Sequence, residues 1–114
     1  MPEGDTGFRA LLRFEINPGM EEAFEREWLS VGRTISGHPD NRGQLLMKSG
    51  DEEAVYYVLT EWSTERAFRE FEHSAVHVEN RRRLQPFRRG GWMSTMTVVH
   101  ALAAAAPAGT ERVP

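Results

Sequence analysis

The sequence predicts an α+β fold of the ferredoxin-like kind, with the element order β-α-β-β-α-β. Three observations predict it. Stretches with a strand's period of two alternate with stretches of helical period along the chain. Two strand-like runs in the middle are separated only by "GDEE", so they read as a hairpin. And 114 residues make one domain rather than two.

The first element, "FRALLRFEI" from Phe8 to Ile16, alternates. Phe8, Ala10, Leu12, Phe14 and Ile16 take one face, and Arg9, Leu11, Arg13 and Glu15 the other. "NPG" ends this strand, with Pro18 suited to a turn or a helix start. Met20, Phe24, Trp28, Val31 and Ile35 then recur three or four residues apart, which is one face of a helix. Glu21, Glu22 and Glu25 lie early in it, where the helix dipole favours anions. Gly37 closes it, and "HPDN" is a loop.

Arg42 to Ser49 and Ala54 to Trp62 form the two arms of the hairpin, the second rich in β-branched and aromatic residues. Ser63 is placed to cap the second helix, whose buried face is expected to be Phe68, Phe71, Ala75 and Val78. Arg81, Arg82 and Arg83 suit its carbonyl end. Pro86 and Gly90-Gly91 end the segment, with the glycines read as a turn, and Trp92 to Leu102 is the fourth strand. The expected domain is therefore 8–102, with a flexible N-terminus at 1–7 and an Ala/Pro-rich tail at 103–114.

Composition narrows the function. Apolar residues make up 39% and charged residues 27%, a globular balance. A net charge of −3 gives no reason to expect nucleic acid, and no stacking ladder or nucleic-acid motif accompanies the arginines. Zero cysteines exclude disulfides, thiolate zinc sites and thiol nucleophiles. No apolar run reaches the roughly 20 residues that cross a bilayer. The polar start "MPEGDTG" is not a signal peptide, so a cytoplasmic protein is expected, with no membrane partner. No dinucleotide fingerprint, P-loop, nucleophile elbow or catalytic carboxylate pair is present. The sheet is apolar on both faces while the helices cover one, which points to a homodimer joined sheet to sheet.

The order of elements, the "EW" at 61–62, the capped helix behind it and the "H-S-x-x-H" from His73 to His77 resemble the antibiotic biosynthesis monooxygenase family. The likeness covers about Phe8 to Leu102, and "FRALLRFEINPGMEEAFEREWL" is most similar to members that accompany type II polyketide synthases, including spore-pigment clusters. The resemblance implies a dimeric α+β barrel. It implies oxidation of an anthrone or phenol of an aromatic polyketide to a quinone, with O2 and no cofactor. It also leaves a polyketide cyclase or aromatase of the same fold open, and a non-catalytic polyketide-binding partner. Trp62 matches the family's pocket tryptophan, and Arg82 falls where the polyketide oxygenases carry an active-site arginine. Val58 stands where they often have asparagine, and Phe68 where they have tyrosine. The haem-degrading branch has a histidine where this chain has Arg81 and a tryptophan where it has Phe71, so haem is not expected.

The resulting candidates are a flat apolar wall of Trp62, Phe68 and Phe71, with His73 as a further substrate-binding residue, Arg82 to hold a substrate anion, and His77 or Tyr56 to manage protons. Tyr57, adjacent to Tyr56, takes the opposite face of the strand. His73 and His77 lie four apart, the spacing of a metal pair, yet no third ligand accompanies them and no metal is expected. On an unbroken helix both point away from the Phe68/Phe71 face. A break at Ser74 would turn His77 toward the pocket.

Overall fold

The computed structural model describes residues 7–105. The elements are β1 (Phe8–Ile16), α1 (Glu21–Ser36), β2 (Asn41–Lys48), β3 (Val55–Trp62), α2 (Glu65–Glu72), α3 (Ala75–Leu84) and β4 (Arg88–Thr97), with one 3-10 turn at Gln85–Phe87. The sheet runs β2-β3-β1-β4, and each neighbouring pair is antiparallel. This is the expected ferredoxin-like sandwich. Of the expected flexible N-terminus only Gly7 is described, and of the expected tail only 103–105; the rest lies outside the described residues.

Register decides which side chains meet. Phe8 pairs with Trp62, Leu12 with Val58 and Phe14 with Tyr56, so these residues share the helix-covered face. Two clusters form beneath the helices. One holds Phe14, Phe24, Trp28, Val31 and Tyr56; the other holds Phe8, Trp62, Phe68 and Phe71. Leu12 and Ile35 pack against both. The seam between the clusters is where the cavity described below opens.

Four expectations need correction. The second helix is two helices. Thr64, not Ser63, caps α2, its hydroxyl accepting from the Ala67 amide at 3.0 Å. The chain then breaks at His73-Ser74, where the Ser74 hydroxyl donates to the Phe71 carbonyl at 2.7 Å and accepts from the His77 amide at 3.2 Å. This restart changes the helical phase, so Ala75 is exposed and Val78 is 59% exposed instead of buried. Lastly, β4 spans Arg88–Thr97, so Gly90 and Gly91 are strand and not turn, and the strand stops short of Leu102. Gly91 has φ +148°, and a Cβ there would lie 2.0 Å from the Arg13 carbonyl oxygen. Only glycine fits, because the positive φ and the close approach of the Arg13 backbone leave no room for a side chain.

The other sheet face carries Leu11 and Leu59 at its centre, with Leu45 and Trp92 flanking them at 56% and 48% exposed. Among the described residues no helix covers it. Arg13 lies on this face, bonded to Glu15 at 2.9 Å, Glu52 at 2.8 Å and the Tyr57 hydroxyl at 2.6 Å. No described helix is long and apolar enough to cross a membrane.

Candidate active site

Between sheet and helices lies a cavity of about 350 Å³. Its floor is the sheet, at Leu12, Val58 and Thr60. One wall is aromatic and comes from β3 and α2: Trp62, Phe68 and Phe71. The facing wall is α3, which offers His77, Asn80 and Arg81, and Arg88 closes the end at the start of β4.

The aromatic wall is held in a fixed geometry. Trp62 is fully buried, and its indole N–H donates to Thr60 Oγ1 at 3.0 Å. Asn41 donates to the same hydroxyl oxygen at 3.1 Å, which orients it. The Trp62 ring centroid is 5.0 Å from Phe71 and 5.8 Å from Phe68. Behind them His38 sits edge-on to Trp62 at 5.2 Å and to Phe71 at 5.9 Å. Its Nδ1 accepts from the Asp40 amide at 3.1 Å, so the proton is on Nε2. Sequence reading left His38 inside a loop; a lone histidine beside a proline carries no signal of this packing.

The α3 wall follows from the break at Ser74. Restarting the helix there places His77, Asn80, Arg81 and Leu84 on one face, at three- and four-residue spacings. The His77 ring is 5.1 Å from Phe71, and its Nδ1 is buried without a partner. Burial lowers its pKa, the Arg81 charge lowers it further, Glu72 opposes them, and His73 adds a little to the lowering. The imidazole is therefore neutral at pH 7. Asn80 is only 5% exposed, and its Nδ2 is likewise unpartnered. Arg88 stacks its guanidinium over Phe14 at 5.7 Å and leaves Nε buried without a partner. Asn80 escaped the sequence reading; the signal was an H-x-x-N-R spacing, visible once the helix is started at Ser74.

Of the residues expected at the site, Trp62, Phe68, Phe71 and His77 come together around the cavity. Arg82, His73 and Tyr56 do not. Arg82 points to solvent and pairs with Glu79, Nε to Oε1 at 2.9 Å. The phase of α3 puts its neighbour Arg81 on the cavity side instead. His73 ends α2 on the surface, with Nδ1 2.8 Å from the Arg69 carbonyl oxygen. Tyr56 is buried in the other cluster, 4.9 Å from Phe24, and its hydroxyl donates to Glu25. Burial first, then that carboxylate, raises the Tyr56 pKa well above the usual phenol value. Among the described residues no group of three or more His, Cys, Asp or Glu is placed to hold a metal ion.

The arrangement is an aromatic-walled cavity with nitrogen donors in its lining, which suits an aromatic ligand with oxygen at its edge. Comparison with known proteins bears on what such a slot is for. No curated protein matches the chain in sequence. SnoaB, a cofactor-independent oxygenase from Streptomyces nogalater, superposes with a TM-score of 0.77 at 16% identity, over 87% of this chain and 99% of that one. A candidate antibiotic biosynthesis monooxygenase from Caulobacter crescentus CB15 gives 0.75 at 17% identity, over 84% and 92%. PA3566 from Pseudomonas aeruginosa gives 0.71 at 14% identity, over 83% and 96%. At these identities the likeness is one of fold. The family model for antibiotic biosynthesis monooxygenases matches residues 7–83, more than half of the sequence and every element through α2 and most of α3, and the chain belongs to that family.

Proposed function

We propose that the protein is a cofactor-independent monooxygenase that oxidises an aromatic polyketide intermediate of the anthrone type to a quinone. The observation that carries this reading is the slot itself: Trp62, Phe68 and Phe71 on one side, and neutral His77 with Arg81 on the other. Family membership supports it.

The substrate supplies the electrons. Neutral His77 takes a proton from the anthrone methylene, and the charge of the resulting enolate rests on an oxygen facing Arg81. Arg81 thus takes the role expected of Arg82, whose side chain is engaged by Glu79 outside the slot. The carbanion passes one electron to O2, and the superoxide and carbon radical combine. The peroxide recovers the proton from the imidazolium, then loses water to leave the new carbonyl. The balance is one methylene and one O2 consumed, one carbonyl and one water formed. Aromatic walls bind the flat rings and exclude bulk water. Two copies joined through their outer sheet faces, working in the cytoplasm, complete the reading.

A second reading has its own support. Val58 and Phe68 place apolar groups where polyketide oxygenases are expected to have asparagine and tyrosine. A cyclase or aromatase, or a partner that only binds the polyketide, needs the same slot and no O2. Oxygen uptake by metal-stripped protein with a panel of anthrones decides between them. Uptake matched to quinone formation, and reduced at least tenfold in Trp62→Ala and Arg81→Ala, is expected. Turnover of a poly-β-keto substrate under argon would establish the cyclase instead. Binding with no turnover in either gas would leave the partner role.

A further inference from the structure

We propose that Asn80 selects the ligand's oxygen, its Nδ2 donating to a carbonyl or phenolate seated against α3. The inference deepens the reading above and rests on it in one respect, that the slot is the ligand site. It does not depend on O2 chemistry.

Asn80 is 5% exposed, faces the cavity, and has no partner for its Nδ2. A buried amide donor left unpaired is destabilising, and native proteins rarely keep one without a use. A position that had only to pack is filled without that cost by an aliphatic side chain, as at Leu84 on the same helix face. Nor is Asn80 alone. Of the four buried unpartnered side-chain nitrogens among the described residues, three belong to residues that line this one cavity: His77 Nδ1, Asn80 Nδ2 and Arg88 Nε. The fourth, Arg9 Nη1, belongs to a residue on the outer sheet face.

Polarity in the cavity is uneven. Donors and positive charge come mainly from α3 and Arg88, Trp62, Phe68 and Phe71 supply rings from β3 and α2, and Glu72 is the one carboxylate residue in the lining. A planar aromatic with an edge oxygen satisfies both. A hydrocarbon of the same shape satisfies only the rings and leaves the amide unpaired. A cationic ligand meets Arg81 and Arg88 against the single carboxylate of Glu72 and is disfavoured. Sites built to hydrogen-bond a ligand oxygen discriminate strongly against the analogue that lacks it, because the protein's own group is then stranded.

The test compares anthraquinone-2-sulfonate with anthracene-2-sulfonate, which share the tricyclic frame and the sulfonate and differ at two central-ring carbons, C=O in one and C–H in the other. Binding is followed anaerobically by calorimetry with the full chain. Wild type is expected to prefer the quinone by about 10- to 100-fold. Asn80→Leu should lose most of that preference while binding the hydrocarbon as well as before. Asn80→Asp, which offers a carboxylate in place of the donor, should bind the quinone more weakly still. Ligand-free Asn80→Leu should also melt at a higher Tm than wild type, because the stranded amide is gone. A structural asparagine would give the opposite sign. A lower Tm in Asn80→Leu, an undiminished preference in that variant, or failure of wild type to bind either probe each overturns the proposal. O2 uptake with an anthrone, measured on the same proteins, reports separately on the oxygenase reading. Lost preference in Asn80→Leu without wild-type uptake keeps the Asn80 assignment and removes the oxygenase. Uptake with retained preference does the reverse.

Discussion

His77 shows how one residue takes its chemistry from its surroundings. Its ring lies half-buried against Phe71, and burial together with Arg81 holds its pKa below the ordinary value near 6.5. Glu72 pulls the other way and His73 adds slightly to the lowering. Because the folded pKa lies below the unfolded one, the unfolded chain binds more protons in the window between them, and stability falls as pH drops from about 6.5 through the folded value. Above 6.5 both states are neutral there and the effect vanishes. Urea midpoints at pH 7.5 and 5.5 should therefore fall less in His77→Phe than in wild type. The other three histidines are present in both proteins, so the difference between the two slopes isolates this one. The same depression predicts an acid limb in kcat/KM with a midpoint below 6.5, since only the free base accepts a proton. Loss of that limb in His77→Gln at low residual activity supports His77 as the base; an unchanged limb removes it from the mechanism. At this scale the aromatic half of the site was legible in the sequence, because large apolar groups at strand and helix spacing have few places to go. The polar half was not. Asn80 and Arg88 look like surface residues until the phase of their elements is known.

At the scale of elements, that phase is set by Ser74. Its hydroxyl closes α2 and opens α3 in one position, bonding the Phe71 carbonyl and the His77 amide. A sequence pattern gives helix period but does not decide whether the phase is reset inside one helical stretch, so the break at Ser74 stands in the sequence only as an alternative. This is why Ala75 and Val78 were expected inside and lie outside; Arg82 was expected at the site from the family resemblance, and the phase of α3 turns Arg81 to the cavity in its place. Strand order and pairing were readable for the opposite reason: alternation in Phe8–Ile16 fixes a face, and a one-residue slip would turn that whole face to water. The boundary of β4 was misread because Gly90-Gly91 carries the signature of a turn. The requirement for glycine comes from the neighbouring strand, at the Arg13 carbonyl, and no local pattern records it. Ser74→Ala tests the cap directly. It should cost about 1 kcal/mol in denaturant unfolding, the usual loss for an N-cap serine. Activity should fall by more than that stability loss explains, because His77, Asn80 and Arg81 all depend on where α3 begins. A variant with lower stability and full kcat would show that the helix start is set by packing rather than by the cap.

For the whole molecule, the outer sheet face decides the assembly. Leu11 and Leu59 are paired at its centre, Leu45 and Trp92 stand beside them half-exposed, and Tyr57 lies 6.3 Å from Trp92, ring to ring. A contiguous apolar patch on a sheet is unusual on a monomer. A two-fold partner solves the problem with the same surface on both sides, since a C2 interface is self-complementary. Charges on the face fit this arrangement. Arg13 is already bonded within its own chain to Glu15, Glu52 and Tyr57, so it can be covered without leaving an unpaired cation. Two helix-covered sheets placed face to face bury both apolar faces and leave each slot on the outside, between its own sheet and helices. The expectation is a dimer by light scattering at micromolar concentration. Leu59→Glu puts a carboxylate opposite its symmetry mate at the centre of that interface and should give a monomer. The slot itself is built from one chain's residues, so the monomer should still bind a planar quinone, with affinity within a few-fold of wild type. If Leu59→Glu remains dimeric and folded, the second copy sits elsewhere. If the monomer forms but loses quinone binding, the two sheets support each other's slots, and the assembly is part of the site.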